Sequence, residues 1–581
     1  MLCCVLLLVA TVPGTGAAAR SVAANETSQQ RAVVVIFEDD ARVNETAITA
    51  VGGTVTGGKA VDVVPALFAR VHDEAIPRLR AHPDVRRVEY DRPVEVPPVE
   101  DDQRAAITTS DAGRETGMSE VVPWGIDRIG ARTAAGQVND TAESNVTVAV
   151  LDTGIDYDHE DLDGSVVWGV DVVDGTEYGV DAADDVDGHG THVAGTIAAQ
   201  ENAVGVVGTS PNVRLYSIQV LGPNGGTISD VVEGLDQALK GPDGTVGTDD
   251  DADVISMSLG GQSSTIAERE AIRRATNESV PVIVSAGNNG DGDPDSDEVS
   301  YPARYDDAIA VAATDVNDEI PEFSSEGPSI DIAAPGVSTL STYPNDDYVR
   351  FSGTSMAAGH VSGTVAMMIA QDTRDGTRDL TVEDLEAQLA ATTVDVGPSG
   401  SDNLSGAGLV DSDRAVELAG VQPRIVAEQD DLIANETVAF AVVRGDTGQR
   451  TSAVVQVAGS TYSVDENTTA RHVFDTAGTY TLTAIVPTGT DYEYVISETV
   501  TVSPGDVTGD GAIATNVDDD EQYEDVNGDR VVNVVDVQAL FANIDDPVVQ
   551  ANPQSFDFNQ DGTVNVVDVQ RLFAELSEPS E

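Results

Sequence analysis

The feature that most restricts the fold is a regular alternation of apolar runs and helical segments across residues 119–420. The apolar runs read VTVAVLDTG, VRLYSIQVLG, ADVISMSLG, VPVIVSAGN and AIAVAATD. Strand-like runs that alternate with helices on this scale predict an α/β domain built on a parallel sheet. The functional groups of such sheets gather at the carboxyl ends of the strands, which is where we expect the site.

Three other regions differ in character from this one. Residues 31–97 mix strands with a helix and predict a small α+β unit, and the acidic, proline-containing stretch DRPVEVPPVEDDQ reads as an exposed linker. Residues 422–503 contain short strands with turn signals and no helix, which predicts a β-sandwich. Residues 504–578 contain two acidic loops, each followed by an apolar helix, and predict a small α domain.

The formal net charge is −71, from 101 Asp and Glu against 30 Lys and Arg. A hydrophobic fraction of 40% in clear runs argues against disorder. A folded surface with this much negative charge repels itself unless salt screens it, so we expect a halophilic protein rather than a merely acidic one. The same charge disfavours nucleic acid and anionic lipid as partners.

The first residues, MLCCVLLLVATVPGTGAAAR, predict a secretory signal peptide over residues 1–19, with cleavage near Ala18 or Ala19. The apolar run lacks the usual basic start, which leaves an upstream start codon open. Cys3 and Cys4 are the only cysteines, so the processed protein would hold no disulfide and no cysteine metal site. No other segment approaches the roughly 18 apolar residues that cross a membrane. We expect a secreted monomer.

Three motifs in residues 119–420 supply the parts of a nucleophilic site. VAVLDTGID puts Asp152 at the end of a buried strand, DGHGTHVAGTIAA puts His189 at the start of a helix, and FSGTSMAAGHV puts Ser355 just before another helix. A serine needs a base to take its proton, and the base needs a carboxylate to fix its tautomer and stabilise its cation. The order Asp, His, Ser is one of the orders known for such triads. The alternative, that each motif is incidental, requires three coincidences.

The motifs DTGID, HGTHVAG, SMSLGG, SAGNNG and GTSMAAGHV make residues 119–420 resemble the subtilisin-like serine proteases. The resemblance implies that Asp152 orients His189, that His189 acts as general base and then general acid, and that Ser355 is the nucleophile. It implies that Asn288 donates a hydrogen bond to the oxyanion. It also implies an edge strand for an extended peptide substrate, formed by Ser258, Leu259 and Gly260.

Two further family features concern the helix of Ser355 and a loop. Gly359 stands where the family usually carries proline, and glycine leaves the first helical turn less restrained, which weakens the expected positioning of Ser355. SYPARYDD resembles a family segment with a cis proline, here Pro302.

The resemblance also implies a Ca²⁺ site. Its ligands would be one carboxylate, one side-chain amide and three backbone carbonyls, a set of oxygens that suits Ca²⁺. The residues are Asp161, Asn202, Gln200, Val204 and Val206. The alternative reading is a solvated loop.

Residues 31–97 resemble the inhibitory propeptide of the same family, through VGGTV and PDVRRVEYD. That resemblance implies a unit that assists folding and occupies the cleft with its C-terminal tail until self-cleavage within 96–118. TAGTYTLTAIV in the β-sandwich resembles PKD-type extracellular modules.

Two repeats near the C-terminus, DVNGDRVVNVVDVQALF and DFNQDGTVNVVDVQRLF, fit the spacing of a calcium loop. The ligand positions are Asp525, Asn527, Asp529, Val531 (backbone), Asn533 and Asp536 in the first loop, and Asp557, Asn559, Asp561, Thr563 (backbone), Asn565 and Asp568 in the second. No helix is expected before either loop, an arrangement that makes residues 504–578 resemble a dockerin. The resemblance implies a cohesin-like protein partner.

The two exit helices predict one shared packed face, formed by Val534, Val537, Phe541, Val566, Val569 and Phe573. Position 6 of the loop holds Gly562 in the second repeat and Arg530 in the first, so we expect the second site to bind calcium better. Asp506 and Asp510 in GDVTGDG offer a further calcium site.

The sequence therefore predicts a secreted, self-processed serine endopeptidase with a β-sandwich and a calcium-binding module appended. One alternative is a non-catalytic surface protein on the same fold. Another is an enzyme that only matures itself, leaving the dockerin-like end as the working part.

Overall fold

The computed structural model describes most of the chain from residue 30 onward. The described residues are 30–57, 63–98, 120–138, 140–173, 176–185, 187–375, 378–421, 423–429, 432–444, 449–487, 493–508, 512–515, 522–529 and 531–576. The expected signal peptide with Cys3 and Cys4, the end of the expected linker from residue 99 onward, Asp510 and Arg530 lie outside them. Within the described residues, no helix has the length and apolar character needed to cross a membrane.

The N-terminal unit is a four-stranded antiparallel sheet with two short helices. Its elements are β1 (Gln30–Phe37), α1 (Glu45–Thr49), β2 (Thr54–Val55), β3 (Ala66–His72), α2 (Ile76–Arg80) and β4 (Val85–Tyr90). The strand order is β2-β3-β1-β4. One side of the sheet holds the unit's own core around Phe37 and Ile48, and the other side packs on the α/β region. A last short strand, β5 (Pro93–Val94), leaves the unit and pairs elsewhere.

The α/β region is built on one eight-stranded sheet. Its strands are β6 (Thr147–Asp152), β7 (Val166–Asp171), β8 (Glu177–Tyr178), β9 (Arg214–Gln219), β11 (Val254–Met257), β12 (Val282–Ser285), β13 (Ile309–Thr314) and β14 (Ile332–Pro335). They lie in the order β14-β13-β12-β11-β6-β9-β7-β8, and every neighbouring pair is parallel except β7 and β8. The expected parallel α/β fold is therefore confirmed, with one antiparallel edge.

Helices cover this sheet, and two short hairpin strands lie beside it. The helices are α3 (Trp124–Arg128), α4 (Ala131–Ala135), α5 (Asp140–Glu143), α6 (His189–Ala198), α7 (Ile228–Lys240), α8 (Ile266–Asn277), α9 (Thr354–Asp372), α10 (Val382–Thr392) and α11 (Ser412–Val421). The other strands are β10 (Gly226–Thr227), β15 (Thr339–Tyr343) and β16 (Asp347–Phe351). The peptide bond before Pro302 is cis, as expected from the sequence.

The small residues of α9 let it pack closely against α6. A Cβ atom on Gly359 would lie 3.2 Å from the Cβ and Cγ2 atoms of Thr196 in α6, and one on Gly363 would lie 2.6 Å from the Cβ of Thr209. The helix runs unbroken through Gly359, and all of its residues are buried. Burial on every side supplies the restraint that the absent proline would otherwise give.

The β-rich region forms two antiparallel sheets that enclose one core. The strands are β17 (Pro423–Ala427), β18 (Thr437–Arg444), β19 (Ala453–Val457), β20 (Ser460–Val464), β21 (Ala470–Val473), β22 (Gly478–Pro487) and β23 (Glu493–Val502). One sheet has the order β17-β18-β21 and the other β20-β19-β22-β23. Phe440 and Phe474 meet edge to face at 6.1 Å in the core. Gln388 of α10 donates a hydrogen bond to the Tyr494 hydroxyl at 3.1 Å, which joins this region to the α/β region.

The described part of the C-terminal region contains four short helices. They are α12 (Val534–Ala542), α13 (Pro547–Ala551), α14 (Pro553–Phe556) and α15 (Val566–Glu575). The expectation that no helix precedes the second loop is wrong, because α14 ends directly before Asp557. Its proline stands at the first helical position, where a missing N–H costs no hydrogen bond.

The predicted packed face of the exit helices is wrong in four of its six residues. Val537 and Val569 are buried as expected, but the side chains beside them in the core are Leu540 and Leu572. Leu540 lies ~60° to one side of Val537 around the helix, whereas Val534 and Phe541 lie ~60° and ~40° to the other side, so the core is on the Leu540 side. The four that stay exposed are Val534 (51%), Phe541 (61%), Val566 (49%) and Phe573 (53%).

Candidate active site and calcium sites

The three residues of the expected triad occupy the ends of regular elements. Asp152 is the last residue of β6, a central strand of the sheet, and is fully buried. His189 is the first residue of α6, and Ser355 is the second residue of α9. Because α6 and α9 pack against each other and on the sheet, their N-termini bring the histidine and the serine to the carboxyl edge of β6.

Asp152 and His189 form a short buried pair. The distance between Asp152 Oδ1 and His189 Nδ1 is 2.7 Å. Burial alone would lower the pKa of His189, but the charge and hydrogen bond of Asp152, with the nearby Asp185 and Asp187 carboxylates, outweigh burial and raise that pKa above its ordinary value. The pair therefore favours an imidazole that holds a proton on Nδ1 and readily accepts one on Nε2.

Three buried polar atoms of these residues have no hydrogen-bond partner among the described residues. They are Oδ2 of Asp152, Nε2 of His189 and Oγ of Ser355. Buried polar groups in native proteins are nearly always paired, so an unpaired base and an unpaired hydroxyl indicate atoms reserved for a substrate or for each other. This arrangement can transfer a proton from a serine to a histidine while the serine attacks a carbonyl carbon.

Asp185, which the sequence analysis did not single out, holds the turn before His189. Its carboxylate accepts hydrogen bonds from the Gly188 N–H at 2.9 Å, from the Thr191 N–H at 2.9 Å and from the Thr153 hydroxyl at 3.0 Å. It therefore links the start of α6 to the end of β6. The sequence signal was an acidic residue just before a helix start, which is a common way to satisfy free N–H groups.

Asn288 lies opposite, in the loop after β12. Its Oδ1 accepts hydrogen bonds from the Thr354 N–H at 2.9 Å and the Thr354 hydroxyl at 3.0 Å, which fixes the side-chain amide. Its Nδ2 donates to the Pro98 carbonyl at 3.1 Å. A fixed amide aimed at a peptide carbonyl is the geometry of an oxyanion donor.

The chain's own N-terminal tail lies in the cleft. β5 pairs antiparallel with β10, and Glu95 exchanges two backbone hydrogen bonds with Gly260, at 3.1 and 3.0 Å. Gly260 thus binds extended backbone, while Ser258 and Leu259 are buried, with the Ser258 hydroxyl donating to the Ser355 carbonyl at 3.2 Å. The tail also lines one side of an open cavity of about 610 Å³, whose other side includes Gly260 and Asn289.

Two carboxylates of the N-terminal unit cap helices of the α/β region. Asp91 accepts from the Ser229 N–H at 3.0 Å and hydroxyl at 2.7 Å at the start of α7. Glu89 accepts from the Ile266 N–H at 2.8 Å at the start of α8. Carboxylates at helix N-termini satisfy free N–H groups and complement the helix dipole, so these contacts fasten the unit beside the cleft.

The expected calcium aspartate, Asp161, is fully buried and only partly paired. Its Oδ2 accepts from the Val206 N–H at 2.8 Å, while Oδ1 has no hydrogen-bond partner among the described residues. Burial, reinforced by the charges of Glu120 and Glu160, raises the pKa of Asp161 to about 7. A buried carboxylate with a free oxygen and negative neighbours fits a bound cation.

The loop expected to supply the other ligands surrounds Asp161. Gln200 donates its N–H to the Asp161 carbonyl at 3.0 Å, and the Asn202 side-chain oxygen accepts from the Val204 N–H at 2.8 Å. Glu120, which the sequence analysis missed, reaches the same loop and accepts from the Ala203 N–H at 3.0 Å. Its signal was hard to see, because it precedes the loop by some eighty residues.

Three other histidines of the α/β region have structural contacts. His192 is buried against Phe351, its Nε2 lies within 3.2 Å of the Thr339 and Val349 carbonyls, and burial lowers its pKa to about 3. His159 Nδ1 accepts from the Asp161 N–H at 3.1 Å and so positions the backbone of that residue. His360 is buried in α9 beside the Met356 carbonyl, at 2.9 Å.

The two C-terminal loops repeat the same hydrogen bonds. In the first loop, the Asp536 carboxylate accepts from the Asn527 N–H at 3.1 Å and Asp525 accepts from the Asp529 N–H at 3.1 Å. The second loop makes the equivalent pairs, also at 3.1 Å, among Asp568, Asn559, Asp557 and Asp561. The four carboxylates at positions 1 and 12 are buried, and each loop keeps one unpaired buried amide atom, on Asn527 and Asn559.

Burial together with neighbouring carboxylates raises the pKa of both Asp536 and Asp568. Converging buried carboxylates on a short loop fit Ca²⁺. The expected position-9 ligands, Asn533 and Asn565, also cap the exit helices, because their side-chain oxygens accept from Val535 and Val567 N–H groups at 2.9 and 3.0 Å. The exposed backbone positions Val531 and Thr563 each accept from the amide of that capping asparagine.

A second backbone feature bears on which of the two loops should bind calcium better. Gly562 has a φ of +87° at position 6 of the second loop, as a sharp turn requires. At position 4, however, the first loop holds Gly528 with a φ of +70°, where the second loop forces Gln560 to +57°. Each loop thus has glycine at one left-handed position, so the predicted advantage of the second loop is smaller than Gly562 alone suggests.

Comparison with known proteins gives two family matches. Residues 143–408 match the Subtilase family, and residues 523–577 match the Dockerin type I domain. The chain is 39% identical to Subtilisin DY of Bacillus licheniformis over 282 residues, 48% of this chain and 94% of that protein. It is 39% identical to the Alkaline protease of Alkalihalobacillus alcalophilus over 355 residues, 61% of this chain and 80% of that protein. It is 40% identical to the Major intracellular serine protease of Bacillus subtilis (strain 168) over 252 residues, 43% of this chain and 76% of that protein.

Proposed function

The chain belongs to the subtilase family and is a subtilisin-like serine endopeptidase with a dockerin domain, and we propose that it is a secreted, self-processed enzyme of saline surroundings that hydrolyses extended polypeptides. The observation that carries the catalytic assignment is the buried Asp152–His189 pair beside two unpaired atoms, His189 Nε2 and Ser355 Oγ.

In the proposed reaction, Ser355 Oγ attacks the scissile carbonyl carbon and His189 Nε2 takes the hydroxyl proton. Asp152 keeps the Nδ1 proton in place and stabilises the imidazolium. Asn288 Nδ2 donates to the oxyanion, in the direction in which it now donates to a peptide carbonyl. His189 then returns the proton to the leaving amine, and water cleaves the acyl-enzyme by the same steps in reverse.

A serine-directed phosphonate tests this assignment in molar salt. We expect one adduct on Ser355 of the full chain, none after Ser355→Ala, and digestion of unfolded casein only by the former. An unlabelled Ser355 under conditions where the protein is folded would refute the enzyme and favour a binding protein. A labelled Ser355 without casein digestion would favour an enzyme that only matures itself.

We propose that residues 31–97 are a propeptide that blocks the cleft and is removed by cleavage within 96–118. The support is the tail itself, whose Glu95 pairs with Gly260 and whose Pro98 carbonyl accepts from Asn288. The Ser355→Ala protein should stay uncleaved, whereas the active protein should yield a new N-terminus within that range. Cleavage of Ser355→Ala in the absence of any other protease would refute self-processing.

The dockerin domain is proposed to bind Ca²⁺ and a cohesin-like partner through its exit helices. The exposed Phe541 and Phe573 occupy equivalent positions on α12 and α15, so the domain presents the same apolar side chain twice. With a type I cohesin as probe, we expect tight binding in Ca²⁺, loss of binding in chelator, and loss after Phe541→Ser combined with Phe573→Ser. Tyr178→Ser, at an exposed aromatic residue of the α/β region, is the matched control. Binding that persists in the double variant would refute this surface.

A further inference from the structure

A second acidic cluster lies beside the active-site loop and was not singled out from the sequence. Asp291, Glu298 and Glu326 each place one carboxylate oxygen so that the three lie within 4.8 Å of one another. Asp291 is exposed, Glu298 is half-buried and Glu326 is buried, with 1% of its surface exposed. Among the described residues, none of the three forms an ion pair with an arginine, lysine or histidine.

Glu326 carries the observation that distinguishes this cluster from solvated surface acid. Its Oε1 accepts hydrogen bonds from the Asp291 and Asp293 N–H groups, at 3.1 and 2.9 Å. Its Oε2 is buried and has no hydrogen-bond partner among the described residues. That oxygen faces the loop so closely that a Cβ on Gly290 would lie 2.4 Å from it. A buried carboxylate that keeps one oxygen unpaired and lies within 4.8 Å of two more carboxylates is costly unless a cation lies between them.

The remaining donors are also oxygens. The Ser296 hydroxyl lies 2.8 Å from Glu298 Oε2 and 3.3 Å from Asp291 Oδ1, inside the same cluster. Carboxylates and a hydroxyl on a loop, with one side open to water, match the flexible oxygen sets of Ca²⁺ better than the regular octahedron of Mg²⁺. We propose that Asp291, Glu298 and Glu326 bind a Ca²⁺ ion that fastens the loop carrying Asn288.

The backbone explains why such an ion would matter to the cleft. The loop from Gly287 to Asp291 lies along the segment from Phe323 to Glu326, through Ser325 N–H to the Gly287 carbonyl at 3.0 Å and Gly290 N–H to the Phe323 carbonyl at 3.0 Å. The ion would close the far end of this contact, three residues from Asn288. The link to the oxyanion rests on the proposed role of Asn288, whereas the ion site stands on the cluster alone.

The number of Ca²⁺ ions bound per chain tests the site without a measurement of enzyme activity. In full-length Ser355→Ala protein in molar salt, we expect Glu326→Gln to bind one Ca²⁺ fewer per chain by equilibrium dialysis. Asp291→Asn, a change at an exposed residue that leaves the fold intact, should bind the same ion at least tenfold more weakly. Glu322→Gln, an exposed glutamate on the same segment, is the control and should bind as many ions as the parent. An unchanged count in both variants would overturn the proposal.

The stability of the variants with and without Ca²⁺ is a second, independent test of the site. In chelator, Glu326→Gln should be at least as stable as the parent, because it removes one of three repelling carboxylates. In Ca²⁺ the order should reverse, and added protease should cut the parent's 291–298 loop more slowly than that of either variant. A merely structural Glu326 would give the same stability difference with and without Ca²⁺, and equal protection by Mg²⁺ would point to screening; either result would overturn the site.

Discussion

The substitution Asp161→Asn should have opposite effects on the free energy of unfolding with and without calcium. Without calcium it should favour the variant as pH rises, and in saturating calcium it should favour the parent. Burial raises the Asp161 pKa from 3.8 to about 7, so the folded protein without metal prefers the neutral carboxyl group. A group whose pKa is higher in the folded state stabilises that state at low pH, and the stabilisation is lost as pH rises through the folded pKa. At about 1.4 kcal/mol per pH unit, roughly 3 units amount to about 4 kcal/mol between acid and pH 8.

Asparagine cannot ionise, so Asp161→Asn escapes this loss. In chelator, the variant should gain on the parent by about 2.5 kcal/mol in free energy of unfolding between pH 5 and pH 8, since at pH 5 the unfolded carboxyl is already ionised. In saturating Ca²⁺ at pH 8 the parent should be the more stable of the two. Its advantage should shrink below pH 7, because protons then compete with the ion for the carboxylate.

Tryptophan fluorescence during urea unfolding measures this difference in the right part of the molecule. Both tryptophans, Trp124 and Trp168, lie in the α/β region, so the signal excludes the β-sandwich and the C-terminal helices. The Ser355→Ala background prevents self-digestion. Parallel pH curves for the two proteins in chelator would refute the buried ionisable carboxylate, and an unchanged order of stability in Ca²⁺ would refute its role as a ligand.

Three other changes have expected outcomes. Asn288→Ala should lower kcat about 100- to 1,000-fold with little change in KM, since an oxyanion donor acts in the transition state. A raised KM with an unchanged kcat would contradict that role. Glu89→Gln combined with Asp91→Asn should speed release of the cleaved N-terminal unit about tenfold, measured as the lag before full activity, because two helix caps are weakened. Gly363→Ala should lower the free energy of unfolding by about 1–3 kcal/mol, since its Cβ would overlap Thr209; an unchanged denaturation midpoint would show that α9 and the segment of Thr209 can separate freely.

The parts of the site that the sequence predicted are those whose geometry depends on short local motifs. The helix starts at His189 and Ser355 and the strand end at Asp152 each follow from a few neighbouring residues, and the parallel sheet then brings them together. Gly260 is placed by the same logic, because its motif follows directly on a sheet strand.

Contacts between segments that are distant in the chain could not be predicted from local motifs. Glu326 meets Asp291 and Glu298 only because β12, β13 and β14 are neighbours in the sheet, and nothing local to it predicts a buried acid except its position beside two serines. The predicted packed face of the exit helices was wrong for a related reason. Their apolar residues cover a wide arc, and only the small core between them decides that Leu540 rather than Phe541 is buried.

The attachment of the C-terminal domain to the β-sandwich has a mechanical consequence. Asn552 and Gln554, between the two repeats, hold the backbone of Ala477 by hydrogen bonds of 2.6 and 2.8 Å, just before β22 begins. Tyr523 adds a third bond, from its hydroxyl to the Val502 carbonyl at the end of β23. A pull applied through α12 or α15 would therefore load two neighbouring strands at the same end of one sheet. We therefore expect the C-terminal helices and the sheet of β22 and β23 to respond to tension as one unit.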